Sequence, residues 1–325
     1  MAFQKKFGFW QLAAVLGILA LGLMLVVYGT RPQTFEYRLK KAEKLWKQKS
    51  YDRAIKLYLN LIDEDPKNPH VPDLLLQVGD IYNLSLGQID KAIQTYDLVA
   101  VRYPSTHHAL EAFVRKGELY FGSDQYEKAL REYQNILENF PNLKEIETYR
   151  LRLGICHIKL KQFEAARREF KAILDTDLKT PLADQVLFHT ANSYFLEGNA
   201  AQAIPIYQSL IDHYPKSSLL DEAKFNMADC YEDLGSFDRA LAIYKEIQNT
   251  YPNPKVIELQ IQRNQERRTE DEKHKQKALA EQKKLMESRK AAALTGEVPA
   301  VTDSKSKTDL KLKRKDLIND IIKNY

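Results

Sequence analysis

One skeleton recurs six times at a nearly fixed interval, and that recurrence restricts the chain to stacked helical units before any other argument is made. A small residue stands at Ala42, Gly79, Gly117, Gly154, Ala191 and Ala228, spaced 37, 38, 37, 37 and 37. An alanine follows at Ala54, Ala92, Ala129, Ala166, Ala203 and Ala240, spaced 38, 37, 37, 37 and 37. Four residues beyond each alanine comes an aromatic: Tyr58, Tyr96, Tyr133, Phe170, Tyr207 and Tyr244. Pro66, Pro104, Pro141, Pro215 and Pro252 close five of the six units, with Leu178 at that place in the fourth.

Within a unit the apolar residues follow helical spacing twice. In the third, Phe113, Gly117 and Tyr120 share one face, and Ala129, Tyr133, Ile136, Leu137 and Phe140 share another. Gly122 and Ser123 break the first helix, and Ser123 or Asp124 can cap the second. The small residue and the alanine mark a close crossing of two antiparallel helices, and the aromatics fill the wider gaps. Proline cannot continue the second helix and so ends it. One pair of helices cannot bury its apolar face alone, so the pairs must stack.

These residues resemble the tetratricopeptide repeat over roughly residues 35–252. The resemblance implies an all-α, right-handed superhelical solenoid of about six helix-turn-helix repeats. The extra residues of the longer period fall at the joints, "RYPSTHHALEA" and "HYPKSSLLDEA", which look similar to repeats of bacterial envelope proteins of the Tol-Pal periplasmic and barrel-assembly lipoprotein type. Such arrays build contact surfaces, so the resemblance implies protein partners and no enzyme activity.

The stretch Phe7–Tyr28 holds one polar side chain, Gln11, and no charge, long enough for a membrane-spanning helix. Residues 1–31 are therefore expected to form an uncleaved anchor in a bacterial inner membrane. A cleaved signal peptide is the alternative. The envelope-like joints favour periplasmic repeats. Lys5 and Lys6 on one side against Arg31, Arg38, Lys40, Lys41 and Lys44 on the other favour cytoplasmic ones.

The net charge of +5 is uneven: residues 1–31 carry +3, residues 32–252 carry −4 and residues 253–325 carry +6. A mildly acidic repeat region argues against nucleic acid as a partner. Cys156 and Cys230 hold the same place in the fourth and sixth repeats and read as small buried residues, too far apart to bridge. No catalytic, cofactor or metal constellation stands out. His107 and His108 read as a solvated pair in a joint, and His157 as a half-buried substitute for an aromatic.

The resemblance also places a partner groove on the first helices. Carried residue by residue, it comprises Val114 and Phe121 (with Glu118), Leu151, Ile155 and Ile158, then Phe188, Asn192 and Phe195 (with Gln185), and finally Phe225, Asp229 and Glu232 (with Asp233). The middle is apolar and the far end acidic, suited to a peptide or an amphipathic helix; the alternative is that several of these residues pack between helices. Family members that clamp a terminal carboxylate use paired Lys and Asn there. Only Asn192 matches, which disfavours that partner class.

Beyond Pro252, residues 253–293 read as a closing segment (Val256, Ile257, Leu259, Ile261) running into a long charged helix, and 294–308 as a linker. In residues 309–325, Leu310, Leu317, Ile318, Ile321 and Ile322 fall on one helical face beside Lys311, Lys313, Arg314 and Lys315. This segment is expected to dock a second partner, with a membrane surface or its own repeats as alternatives. The expected function is a membrane-anchored, non-enzymatic scaffold, an assembly factor of envelope machinery. The alternatives are a periplasmic chaperone-like quality-control factor near the translocation channel and a lipid or glycan carrier.

Overall fold

The close crossing demanded by the small residues is realised in a computed structural model that describes residues 34–176 and 180–295. Among the described residues there are thirteen α-helices. They are α1 (Phe35–Lys47), α2 (Tyr51–Glu64), α3 (Val71–Asp80), α4 (Ile89–Arg102), α5 (His107–Gly122), α6 (Tyr126–Asn139), α7 (Ile146–Lys159), α8 (Phe163–Thr176), α9 (Ala183–Leu196), α10 (Ala200–His213), α11 (Leu220–Asp233), α12 (Phe237–Ile247) and α13 (Pro254–Thr295). The chain divides after Ile206 into two compact units. The division falls inside α10, next to Pro205, which has no N–H to close the helical ladder there.

The all-α repeat fold is as expected, but the expected N-terminal transmembrane helix is not among the described helices. Residues 1–31 lie outside the described residues, and among the described residues no helix is long and apolar enough to cross a membrane. The segment 309–325 also lies outside them.

Each first helix ends in the same way. Lys49, Gly87, Asp124, Lys161, Gly198 and Gly235 all have positive φ, between 57° and 86°. The residue after each of them donates its N–H back across the turn: Ser50 to Leu45 O (2.9 Å), Gln125 to Tyr120 O (2.9 Å), Gln162 to His157 O (2.8 Å), Asn199 to Tyr194 O (2.8 Å) and Ser236 to Tyr231 O (2.8 Å). This closure satisfies carbonyls that the helix end leaves free. The 38-residue interval has a local cause here. The second repeat holds one extra residue, which the chain absorbs as a π-helical turn at Ile81–Ser85, so that the closing bond spans one residue more, Gln88 N–H to Tyr82 O at 2.7 Å. The displaced Leu84 is left 80% exposed.

The cores of the pairs are the repeated residues themselves. Ala42, Ala54, Ala92, Ala129, Ala166, Ala191, Ala203, Ala228 and Ala240 have no exposed surface, nor do Tyr58, Tyr96, Phe170, Tyr207 and Tyr244. In the first unit Lys116 on α5 is buried and paired with Asp97 on α4 and with Glu132 on α6 (2.9 Å), tying three helices together. Burial alone would lower its pKa, but the hydrogen bonds it donates to both carboxylates outweigh this and raise it. Cys156 and Cys230 are free and buried, and burial pushes both thiols up to about 12. In the second unit α13 starts by burying Ile257 against Ala228, Ala240, Tyr244 and Ile247. Of the expected closing residues, Val256 and Ile261 are half-buried and Leu259 is 60% exposed.

A methyl group built on Gly79 would lie 2.3 Å from Tyr96 Cε1, and one on Gly154 2.3 Å from Phe170 Cε1. Both rings are fully buried and cannot swing away. In an open helix Gly→Ala gains roughly 0.5–1 kcal/mol. At Gly79 the overpacking reverses the sign, and Gly79→Ala is expected to lose about 1–2 kcal/mol in urea unfolding. A gain in stability would show that the crossing is not tight.

Candidate functional site

The polarity of the first-helix face is set by pairs reaching through the crossing. In the second and sixth repeats the residue after the small one points along this face and the second-helix tyrosine sends its hydroxyl towards it, whereas Tyr58 Oη of the first repeat is buried without a partner. Tyr96 Oη donates to Asp80 Oδ1 at 2.7 Å, and Tyr244 Oη donates to Asp229 Oδ1. In the fourth repeat both members change together: Ile155 stands at the acidic position and Phe170 replaces the tyrosine, leaving no hydroxyl without a carboxylate.

An ion pair and a hydrogen bond join neighbouring first helices. Arg115 Nε on α5 lies 3.0 Å from Asp80 Oδ1 on α3, and His108 Nε2 lies 3.0 Å from Asp73 Oδ1. His107 Nε2 lies 2.8 Å from Glu111 Oε1 on its own helix. The two joint histidines are thus each engaged by a carboxylate rather than being a simply solvated pair. His157 is half-buried, as expected, with Nδ1 2.7 Å from Gln162 Oε1. In the second unit the same device appears again. Arg263 on α13 approaches Asp229 (3.8 Å) and Glu232 (3.3 Å), and Arg267 lies 2.7 Å from Glu232. Burial raises the Asp229 pKa, against the Tyr244 hydrogen bond, which lowers it.

The residues expected to line a groove fall into two groups. Val114, Phe121, Ile155, Asn192 and Phe195 in the first unit, and Phe225 and Asp229 in the second, are half-buried and keep a surface. Leu151 (4% exposed), Ile158 (9%) and Phe188 (4%) are core. Glu232 is 1% exposed and taken up by the two arginines of α13. Phe225 lies against Tyr244 and Tyr251, with ring centroids 5.9 and 5.3 Å away. Leu310, Leu317, Ile318, Ile321 and Ile322 lie outside the described residues. Sequence reasoning passed over Leu196, which follows Phe195 and is 58% exposed. It also passed over Arg263, although Arg263 stands four 37-residue periods after Arg115 and makes the equivalent contact.

His189 sits under this face, stacked on Phe170 (6.1 Å) and edge-on to Phe188 (5.4 Å). Burial, then Arg152 and Lys159, push its pKa down to about 4. Among the described residues no three His, Cys, Asp or Glu side chains are grouped to hold a metal ion.

The tetratricopeptide repeat pattern matches residues 39–107, 114–175 and 151–218, and a second form of it matches 194–260. No curated protein matches. A tetratricopeptide repeat protein from Parabacteroides merdae superposes with a TM-score of 0.54 at 23% identity, over 74% of this chain and 92% of its own. The C-terminal part of a TPR repeat-containing protein from Cytophaga hutchinsonii superposes with a TM-score of 0.56 at 17% identity, over 78% of this chain and 98% of its own. At these identities the likeness is one of fold. It corrects the finer expectation of a membrane-anchored envelope protein: what is supported is the repeat family and an interaction module. The anchor, the single-pass inner-membrane location, the membrane as a partner and the envelope-assembly role built on them have no support, since no described helix is long and apolar enough to span a bilayer.

The histidine gives a signed pH dependence. Its folded-state pKa lies below the ordinary value of 6.5, so the unfolded chain takes up the proton first as pH falls. Stability from neutral His189 is complete above about pH 6.5 and is lost between there and about pH 4. Between pH 7.5 and 4.5 the native chain is expected to lose about 2 kcal/mol more than the His189→Phe variant in urea unfolding. Equal losses would mean that His189 is hydrated in the folded state.

Proposed function

The chain belongs to the tetratricopeptide repeat family, and we propose that it holds a segment of a client protein against the first-helix face of α5, α7 and α9. It is a non-enzymatic protein–protein interaction module. The observation that carries the placement is a set of apolar side chains on successive first helices that the repeats leave partly uncovered. Leu196 is 58% exposed, and Phe195, Ile155, Val114 and Phe121 are half-buried on the same successive first helices. Asn192 supplies an amide on α9. An apolar strip with sparse polar groups suits the alternate side chains of an extended peptide or one face of an amphipathic helix. Clusters of exposed apolar residues of this kind mark contact surfaces.

Leu151, Ile158 and Phe188 support the strip from beneath and are unsuitable as probes, because charging a core position unfolds the repeat. A photo-crosslinking residue at Val114 in the full chain is expected to capture a client, which then serves for titration. Leu196→Asp with Phe195→Asp is expected to weaken that client at least about tenfold, the scale of a lost interface anchor, with the melting temperature little changed. Undiminished binding would move the site off this face.

A further inference from the structure

The start of α13 is a seventh first helix. Arg263 meets Asp229 as Arg115 meets Asp80, and Ile257 is fully buried against the sixth repeat. Two features set it apart. One period after Ala228 stands Gln265, where every repeat has glycine or alanine, so no second helix can cross it closely. Asn264 is fully buried in the contact, and neither its amide nitrogen nor its amide oxygen has a hydrogen-bond partner. Glu232, 1% exposed, holds Arg267 and Arg263 with one oxygen while its other oxygen is unpaired. Buried polar atoms left unpaired weaken a contact that the arginines and Ile257 otherwise hold.

We propose that the surface of α11 and α12 facing α13 is a binding site for a helix of a partner protein, and that α13 occupies it as a displaceable stand-in. The occupant is defined by the chemistry of the surface. It is a helix with apolar residues in the places of Ile257 and Ile261, and two arginines or lysines one turn apart in the places of Arg263 and Arg267. An apolar residue stands where α13 has Asn264. Such a helix makes every contact of α13 without burying an unpaired amide. Its cations meet Asp229 and Glu232, and α13 is released. The site is separate from the client strip of the first unit and does not depend on it.

The test uses a labelled synthetic peptide of residues 254–272 carrying the Asn264→Leu change, titrated into the full chain by fluorescence anisotropy. Binding is expected, together with faster hydrogen exchange at residues 257–267 of the chain's own α13. The unsubstituted peptide is expected to bind about tenfold more weakly or worse. A full chain bearing Asn264→Leu is expected to exclude the peptide, with slower exchange at 257–267. A full chain bearing Arg263→Glu and Arg267→Glu is expected to bind it more tightly, provided exchange in α11 and α12 shows the sixth repeat intact. Absence of binding to that intact variant would overturn the site, as would equal binding of the peptide to the native and Asn264→Leu chains. Binding without faster exchange in α13 would overturn displacement.

Discussion

The contact between a residue without a side chain and the edge of an aromatic ring governs the first unit. Gly79 against Tyr96, Gly117 against Tyr133 and Gly154 against Phe170 leave no room for a methyl group without movement. The ring is thereby enclosed on all sides, and its burial supplies much of the apolar area of the pair. The close crossing also fixes how far each helix can run before it must turn. This is why the same left-handed residue recurs after every first helix and why three of the six turns tolerate Lys or Asp there. A turn whose helices are already clamped can hold a strained residue at modest cost.

The crossing also transmits polarity. A tyrosine ring buried between helices still has a hydroxyl to satisfy; Tyr58 leaves it unpaired, and for Tyr96 and Tyr244 the short path leads to the first-helix face. Where a carboxylate receives it, as at Asp80 and Asp229, the face is acidic and recruits an arginine from the next first helix. Where Phe170 removes the hydroxyl, Ile155 removes the acid, and His189 rather than arginine occupies the neighbouring place. The low proton affinity of His189 follows from this exchange, since it lies in the apolar stretch with Arg152 and Lys159 nearby. One substitution in the second helix is thus matched by two on the first helices, and the strip proposed to hold a client coincides with that change.

Periodicity made the helices, their crossings and the buried set of Ala42, Tyr96 or Ala240 legible, because each is dictated by a residue type at a fixed interval. The 38-residue interval was visible too, but not its form as a π turn, since one extra residue can be absorbed in a loop or in a helix. The exposure of the residues expected to line a groove was only half legible. Leu151, Ile158 and Phe188 occupy positions that the repeat family exposes, yet here they are core, because their burial depends on the neighbouring helices rather than on their own. Pairs such as His108 with Asp73 lie 35 residues apart and need the stacked geometry to be seen. Arg263 was within reach of the sequence, since the period places it on Arg115, but it stands in a segment whose charge obscures the repeat. The apolar stretch Phe7–Tyr28 satisfied a length and hydropathy criterion only, and that criterion says nothing about the repeats.

The same contact explains why the sequence of repeats stops. A repeat is extended only if its first helix offers a small residue to the next ring, and Gln265 does not. The first helix of a seventh repeat therefore forms without a second helix to cross it, and instead of turning it runs on through 42 residues, most of them exposed. The final ring, Tyr244, is covered in part by Ile257, so the end of the sixth repeat is closed by an aliphatic contact and an arginine pair. Asn264 sits in that closure where an apolar side chain would serve stability better. A terminus built for stability alone would not keep a buried, unpaired amide at the contact that closes it.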